Sequence, residues 1–216
     1  VIGEDRETTI IDGGDGGTVV IFESGENEIA ILNGFTITNG YGDEMSAGGG
    51  GIQCRNGSSP ILTNLIISNN SNAGKGGGIL CSQSNPNIVN VMISDNISGY
   101  EGGGIFCRQS NPNLSYVTIR NNSAVKGGGI YAESNSSVSF ENVTISGNTA
   151  IDVGGGIYIS YSSISIENMT IIGNTATGGG GGIYFSSQSV SFDRINIENA
   201  ILWANYPQQI MFTGGA

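Results

Sequence analysis

The stretch from Gly154 to Ile171 reads GGGIYISYSSISIENMTI and contains the pattern that decides the fold. Apolar residues alternate with other residues at a period of two, which is the side-chain period of a β-strand and not of a helix. Short alternating runs of this kind predict short strands. We expect Tyr158, Ser165 and Thr170 to point outward. The residues expected to point inward are Ile157, Ile159, Ile164, Ile166, Met169 and Ile171.

The same unit recurs along the chain. Gly-Gly-Gly-Ile occurs six times, with its isoleucines 25 to 27 residues apart, and a second isoleucine series from Ile67 to Ile197 has a spacing of 26 residues at every step. Strands separated by glycine and asparagine turns suit a coil that rises one strand spacing, about 4.8 Å, per turn. We therefore predict an all-β fold: a right-handed single-stranded parallel β-helix (β-solenoid), with about 26 residues and three short strands per coil.

In such a stack, residues one coil apart lie above each other, so each repeat position becomes a column of side chains. One interior column begins with Cys54, Cys81 and Cys107, which we expect to be free, buried thiols. A column of asparagines runs from Asn70 to Asn174, and its amides are expected to hydrogen-bond along the stack. A second asparagine set comprises Asn64, Asn90, Asn142 and Asn168, and we expect both sets to occupy turns with a left-handed backbone.

One outward column is aromatic and follows directly after the glycine motif. An exposed flat strip of rings could stack on sugars or face another protein surface, so we take it as the candidate ligand-binding site. The alternative is that the rings stack on each other or are covered by the glycine turns. The candidate residues are Phe106, Tyr131, Tyr158 and Tyr184.

Charge and composition exclude several partners. The formal net charge is −11, with only seven basic residues, and nucleic-acid affinity depends largely on Lys and Arg, so we expect no nucleic-acid partner. No apolar run reaches the length of about 18 residues that a transmembrane helix needs. Histidine is absent and cysteine spacing fits no zinc site, so we expect no cofactor. Calcium at Asp12 and Asp15, which stand among glycines, is the minor alternative.

Units such as Gly-Gly-Gly-Ile130-Tyr and the stretch from Phe140 to Ala150, FENVTISGNTA, resemble the repeats of bacterial surface and secreted β-helix proteins. They are similar to the short Gly-Gly-Ala-Ile and Phe-X-X-Asn motifs of polymorphic outer membrane proteins, and more broadly to pectate-lyase-like β-helices. The resemblance covers about Ile10 to Phe212. It implies a secreted or surface-displayed protein that handles polysaccharide or mediates contact, and it implies no particular activity.

The sequence offers few side chains suited to catalysis. A glycosidase needs two carboxyl groups about 5 to 9.5 Å apart, and a lyase needs a base with charge neutralisation. Glu141 and Glu167 form a column that we interpret as solvated. The other acids after residue 95 are expected to be isolated: Glu101, Glu133, Asp152 and Asp193.

We therefore predict a non-catalytic β-helix that is extracellular or on the cell surface, either adhesin-like or carbohydrate-binding, with a polysaccharide or cell-surface ligand. A passive structural stalk or scaffold is the alternative. The second alternative is an enzyme resembling polysaccharide lyases or hydrolases, with its active site outside this segment or weakly marked in it. Residues 1–216 are expected to form one β-helix segment of a longer protein, without one or both end caps, and end-to-end or lateral self-association is a further expected contact.

Overall fold

The structure is a computed structural model that describes residues 1–43, 48–186 and 195–214. Within these ranges it contains parallel strands and no helix, so no helix there is suited to crossing a membrane. The strands form a solenoid of about seven coils, with roughly 26 residues per turn. The predicted all-β parallel β-helix is therefore confirmed.

The first sheet contains eight strands, one from each successive level of the stack. Its central members carry the 26-residue isoleucine series from Ile67 to Ile171, but the placement of Ile197 in this series is wrong, because Ile197 pairs with Ile166 on the third sheet and Leu202 follows Ile171 here. The strands are β1 (Ile10–Asp12), β4 (Thr36–Thr38), β8 (Ile66–Ser68), β12 (Met92–Ser94), β16 (Thr118–Arg120), β20 (Thr144–Ser146), β24 (Thr170–Ile172) and β28 (Ile201–Trp203).

The second sheet also has eight strands, and most of them begin at the isoleucine of the glycine motif. The strands are β2 (Val20–Phe22), β6 (Ile52–Arg55), β10 (Ile79–Ser82), β14 (Ile105–Arg108), β18 (Ile130–Glu133), β22 (Ile157–Ser160), β26 (Ile183–Ser186) and β29 (Ile210–Thr213).

The third sheet has seven strands: β3 (Ile31–Asn33), β7 (Ile61–Thr63), β11 (Asn87–Val89), β15 (Asn113–Ser115), β19 (Ser137–Glu141), β23 (Ser163–Glu167) and β27 (Ile195–Glu198).

A fourth sheet of six strands, four of them only two residues long, adds to the three strands per coil that the sequence predicts. It precedes the glycine motif in each coil, and in those four strands alternation covers too few residues to be recognised. The strands are β5 (Tyr41–Gly42), β9 (Ser71–Asn72), β13 (Ile97–Ser98), β17 (Ser123–Lys126), β21 (Thr149–Val153) and β25 (Thr175–Ala176).

The core fills the interior of the coils. All six residues that alternation assigns inward, from Ile157 to Ile171, are buried there, with exposed fractions of 2% or less. The cysteine column is confirmed, because Cys54 pairs in register with Cys81, and Cys81 with Cys107, and all three are free and buried. Their mutual hydrogen bonding and their burial raise the pKa of the Cys54 and Cys107 thiols well above the usual value.

The predicted asparagine column is a continuous buried ladder. Each side-chain Nδ2 donates to the Oδ1 of the asparagine one coil further on and to a backbone carbonyl of the preceding coil; Asn122, for example, donates to Asn148 Oδ1 and to Ile93 O, both at 3.0 Å. Asn205 extends the ladder by one level. The left-handed backbone lies one residue earlier, as at Asn121 with φ 56°. The second asparagine set does have positive φ, as predicted.

A serine ladder was not predicted. Ser84, Ser110 and Ser136 are buried, and the backbone N–H of each donates to the hydroxyl of the serine 26 residues later, at 3.1 to 3.2 Å. The sequence signal was the same spacing of 26, from Ser58 to Ser162. Serine is common in turns, so its periodicity is easily overlooked.

Candidate functional site

The aromatic column exists, but it is not an exposed strip. Phe106, Tyr131 and Tyr158 point away from the main core, yet only 2%, 5% and 7% of their surfaces are exposed, and Tyr184 is partly buried. Successive rings stack with centroids 4.6 to 5.6 Å apart and interplanar angles of 15° or less. Their predicted exposure is therefore wrong, and the alternative of stacked, covered rings is confirmed.

The glycine motif is what covers the rings. Its first glycine, such as Gly102 or Gly154, has φ near 70° and turns the chain back over the outward face of the second sheet. A Cβ built on Gly154 would lie 2.8 Å from the Cβ of Tyr158, so only glycine permits this approach. Lysine side chains complete the cover, with Lys75 Nζ 4.7 Å from the Phe106 ring centroid. Strand alternation alone cannot reveal a turn that folds over its own sheet.

Beside this covered column, two carboxylates meet one ammonium group. Lys75 Nζ lies 2.6 Å from Glu101 Oε2 and 3.6 Å from Glu133 Oε1, and about a fifth of each glutamate side chain is exposed. Glu101 Oε2 itself is buried, and its contact with Lys75 is an ion pair without the alignment of a hydrogen bond. The expectation that Glu101 and Glu133 are isolated is wrong, because the loop before the glycine motif brings three coils together. We call these three residues the ion triplet.

The ion triplet also reaches the aromatic column. Burial, followed by the negative charges of Glu101 and Glu133, raises the pKa of the Tyr131 hydroxyl well above its usual value. Tyr131 therefore stays protonated and can act as a hydrogen-bond donor throughout the neutral range.

A cleft of about 340 Å³ opens next to the ion triplet. One wall is the outward face of β10 and β14, and the other is formed by loops of three successive coils. The volume lies at the small end of the range of ligand sites in proteins, about 300 to 1,000 Å³. Its described side chains are Asp43, Asn72, Lys75, Leu80, Ser82, Tyr100, Phe106 and Arg108.

Three of these side chains, Asp43, Tyr100 and Arg108, are exposed and were not predicted as site residues. Tyr100 is 52% exposed, and Arg108 is exposed and makes no ion pair within the described residues. The signal for Arg108 was its position two residues after Phe106 on the same outward face. Tyr100 gave no periodic signal, since it lies in a loop. Of the predicted aromatic residues, only Phe106 lines the cleft.

The other candidate acids lie elsewhere. Asp12 Oδ1 accepts hydrogen bonds from Gly14 N at 2.9 Å and Asn39 Nδ2 at 3.0 Å, which in that order lower the pKa of Asp12. Asp15 is exposed in a left-handed turn. The described ranges contain no group of three acidic, cysteine or histidine side chains able to hold a metal ion. Calcium at this turn stays a prediction.

The remaining acids that bear on catalysis are placed as follows. Glu141 pairs in register with Glu167, and both are exposed. Asp152 lies 3.9 Å from Lys126 Nζ and is therefore paired. Asp193 lies outside the described residues. The cleft thus offers donors, acceptors and an exposed ring, with the Asp43 carboxylate in its lining and the carboxylates of Glu101 and Glu133 held by Lys75 beside it.

This architecture defines a parallel β-solenoid, and comparison with known families agrees. The sequence model of one protein family, described as the right-handed β-helix region, matches residues 6–142 and 97–216. The chain therefore belongs to the right-handed β-helix family. No curated protein and no solved structure matched it.

Proposed function

We propose that this β-helix is a non-catalytic saccharide-binding module of an extracellular or surface-displayed, adhesin-like protein, and that the cleft beside the ion triplet is its binding site. The observation that carries the proposal is an accessible tyrosine ring and an exposed arginine, without an ion pair among the described residues, in one small cleft. Tyrosine combines an apolar face with a polar tip, which suits the apolar face and the hydroxyl groups of a sugar ring.

Hydrogen-bonding capacity supports the same ligand class. Sugar hydroxyls both donate and accept, and the cleft supplies both roles: Arg108 and Lys75 carry only donors, a carboxylate such as Asp43 carries acceptors, and the hydroxyl of Ser82 can do both. The wall is rigid, because β10 and β14 pair in register with each other and with their neighbours. A preformed site reduces the ordering cost of binding.

The ion triplet favours binding over catalysis. Lys75 lies between Glu101 and Glu133, so neither carboxylate is free to act as a general base or nucleophile. The Lys75 ammonium pairs with both carboxylates and carries only donors, so it cannot remove a proton from a substrate. An enzyme would need these groups separated or differently charged.

The test is native electrophoresis through gels that contain neutral and acidic polysaccharides, with and without calcium. We expect retardation without loss of polymer, reduced by Tyr100→Ala and Arg108→Gln. Arg120→Gln is the matched control, because Arg120 also points outward from a strand without an ion pair in the described chain but lies on the first sheet. Clearing of the polymer would replace the proposal with an enzyme, and no retardation in any gel would replace it with a passive scaffold.

A further inference from the structure

The charges around the cleft limit the ligand more narrowly than its shape does. Two cations, Lys75 and Arg108, and one carboxylate, that of Asp43, line the cleft, and the carboxylates of Glu101 and Glu133 lie beside it in contact with Lys75. Lys75 is already shared between Glu101 and Glu133, and Glu133 is the register neighbour of Arg108 on the adjacent strand. An anionic ligand would therefore find no cation that lacks a nearby carboxylate, within a chain whose net charge is −11.

The length of the cleft limits the ligand as well. Its lining comes from three successive coils, which extend about 10 Å along the solenoid axis because neighbouring coils are about 4.8 Å apart. This space accommodates one or two pyranose rings. The aromatic column, including Phe106, is covered, so no stacking surface continues along the axis beyond Tyr100.

On the basis of the proposed function, we infer that the cleft binds one or two residues of an uncharged saccharide and discriminates against uronic acids. Arg108 donates to sugar hydroxyls, and Tyr100 covers one face of the ring. The carboxylates that hold Lys75 repel a carboxylate on the ligand, and this repulsion provides the specificity.

The experiment compares matched pairs by saturation-transfer NMR titration of the whole chain: glucose with glucuronate, galactose with galacturonate, mannose with mannuronate, and the corresponding disaccharides. We expect at least one neutral sugar to bind about tenfold more tightly than its uronate, because like charges placed together disfavour binding. We expect its affinity to change little with salt, since screening acts on charge pairs. Arg108→Gln should weaken binding of the neutral sugar, and Arg120→Gln should not.

The outcomes separate the inference from the proposed function. Tighter binding of a uronate, weakened by salt and lost in Arg108→Gln, would overturn the inference and leave a saccharide-binding module. Binding that requires chains longer than a disaccharide would also overturn it. Absence of binding to every saccharide here and in the gels would overturn the proposed function itself.

Discussion

Removing one amide from the asparagine ladder should destabilise the solenoid far more than removing an exposed one. Asn122 is 1% exposed, and its side chain makes four hydrogen bonds at 3.0 Å, two to Asn96 and one each to Asn148 and Ile93. At about 1 kcal/mol net for each bond, Asn122→Ala should cost about 4 kcal/mol. For a chain of this size, that lowers the thermal midpoint by about 8 to 16 °C.

The control is Asn113→Ala, because Asn113 is exposed and makes only two side-chain hydrogen bonds, at 3.4 and 2.9 Å. We expect a loss below about 1 kcal/mol there, as is usual for surface positions. Thermal unfolding followed by circular dichroism measures both variants. Equal shifts for Asn122→Ala and Asn113→Ala would refute the view that the buried ladder holds the coils together.

Four further outcomes follow from the core and its cover. Ile145→Asp places an unpaired carboxylate at a position with no exposure, so we expect loss of cooperative unfolding in calorimetry, and an unchanged transition would contradict the inward assignment. Gly103→Ala should lower the thermal midpoint, because the new Cβ would lie 2.4 Å from the carbonyl oxygen of Gly128. Gly16→Ala is the control, since its Cβ would have a nearest contact of 3.3 Å and should change the midpoint little. Equal midpoints for the two variants would contradict the close approach at Gly103. Cys107 should react with a thiol reagent only after unfolding, and fast labelling of the folded protein would show that its burial is wrong. Because the folded state raises the pKa of this thiol, the folded chain binds the proton more tightly than the unfolded chain; stability in urea titrations should therefore fall as pH rises above the ordinary value of 9.0, and a rise there would contradict the sign.

The periodic part of the structure could be predicted from the sequence. A spacing of 26 residues places Ile145 above Ile119, and it places the cysteines and asparagines in columns, because parallel pairing in register repeats each environment at every coil. Period-two alternation assigns the inward side chains for the same reason.

The site could not be predicted in the same way, because it depends on contacts between columns. Alternation places Tyr131 outward but cannot show that the glycine turn folds over it. Lys75 and Glu101 share a repeat position and are paired by an isolated bridge, but Glu133 comes from a different repeat position, so no single periodic signal relates the three members of the ion triplet. Tyr100 lies in the loop between β13 and β14, where strand alternation does not apply.

The placement of the binding site in the cleft is tested most directly by hydrogen–deuterium exchange of the whole chain, with and without the saccharide that retards it most strongly in the gels. We predict slower exchange confined to the loops and strands that line the cleft, at Asp43 and Gly48 and between residues 72 and 108, and lost in Tyr100→Ala. Protection along the covered column from Tyr131 to Tyr184, or along the first or third sheet alone, would contradict the placement of the binding site in this cleft.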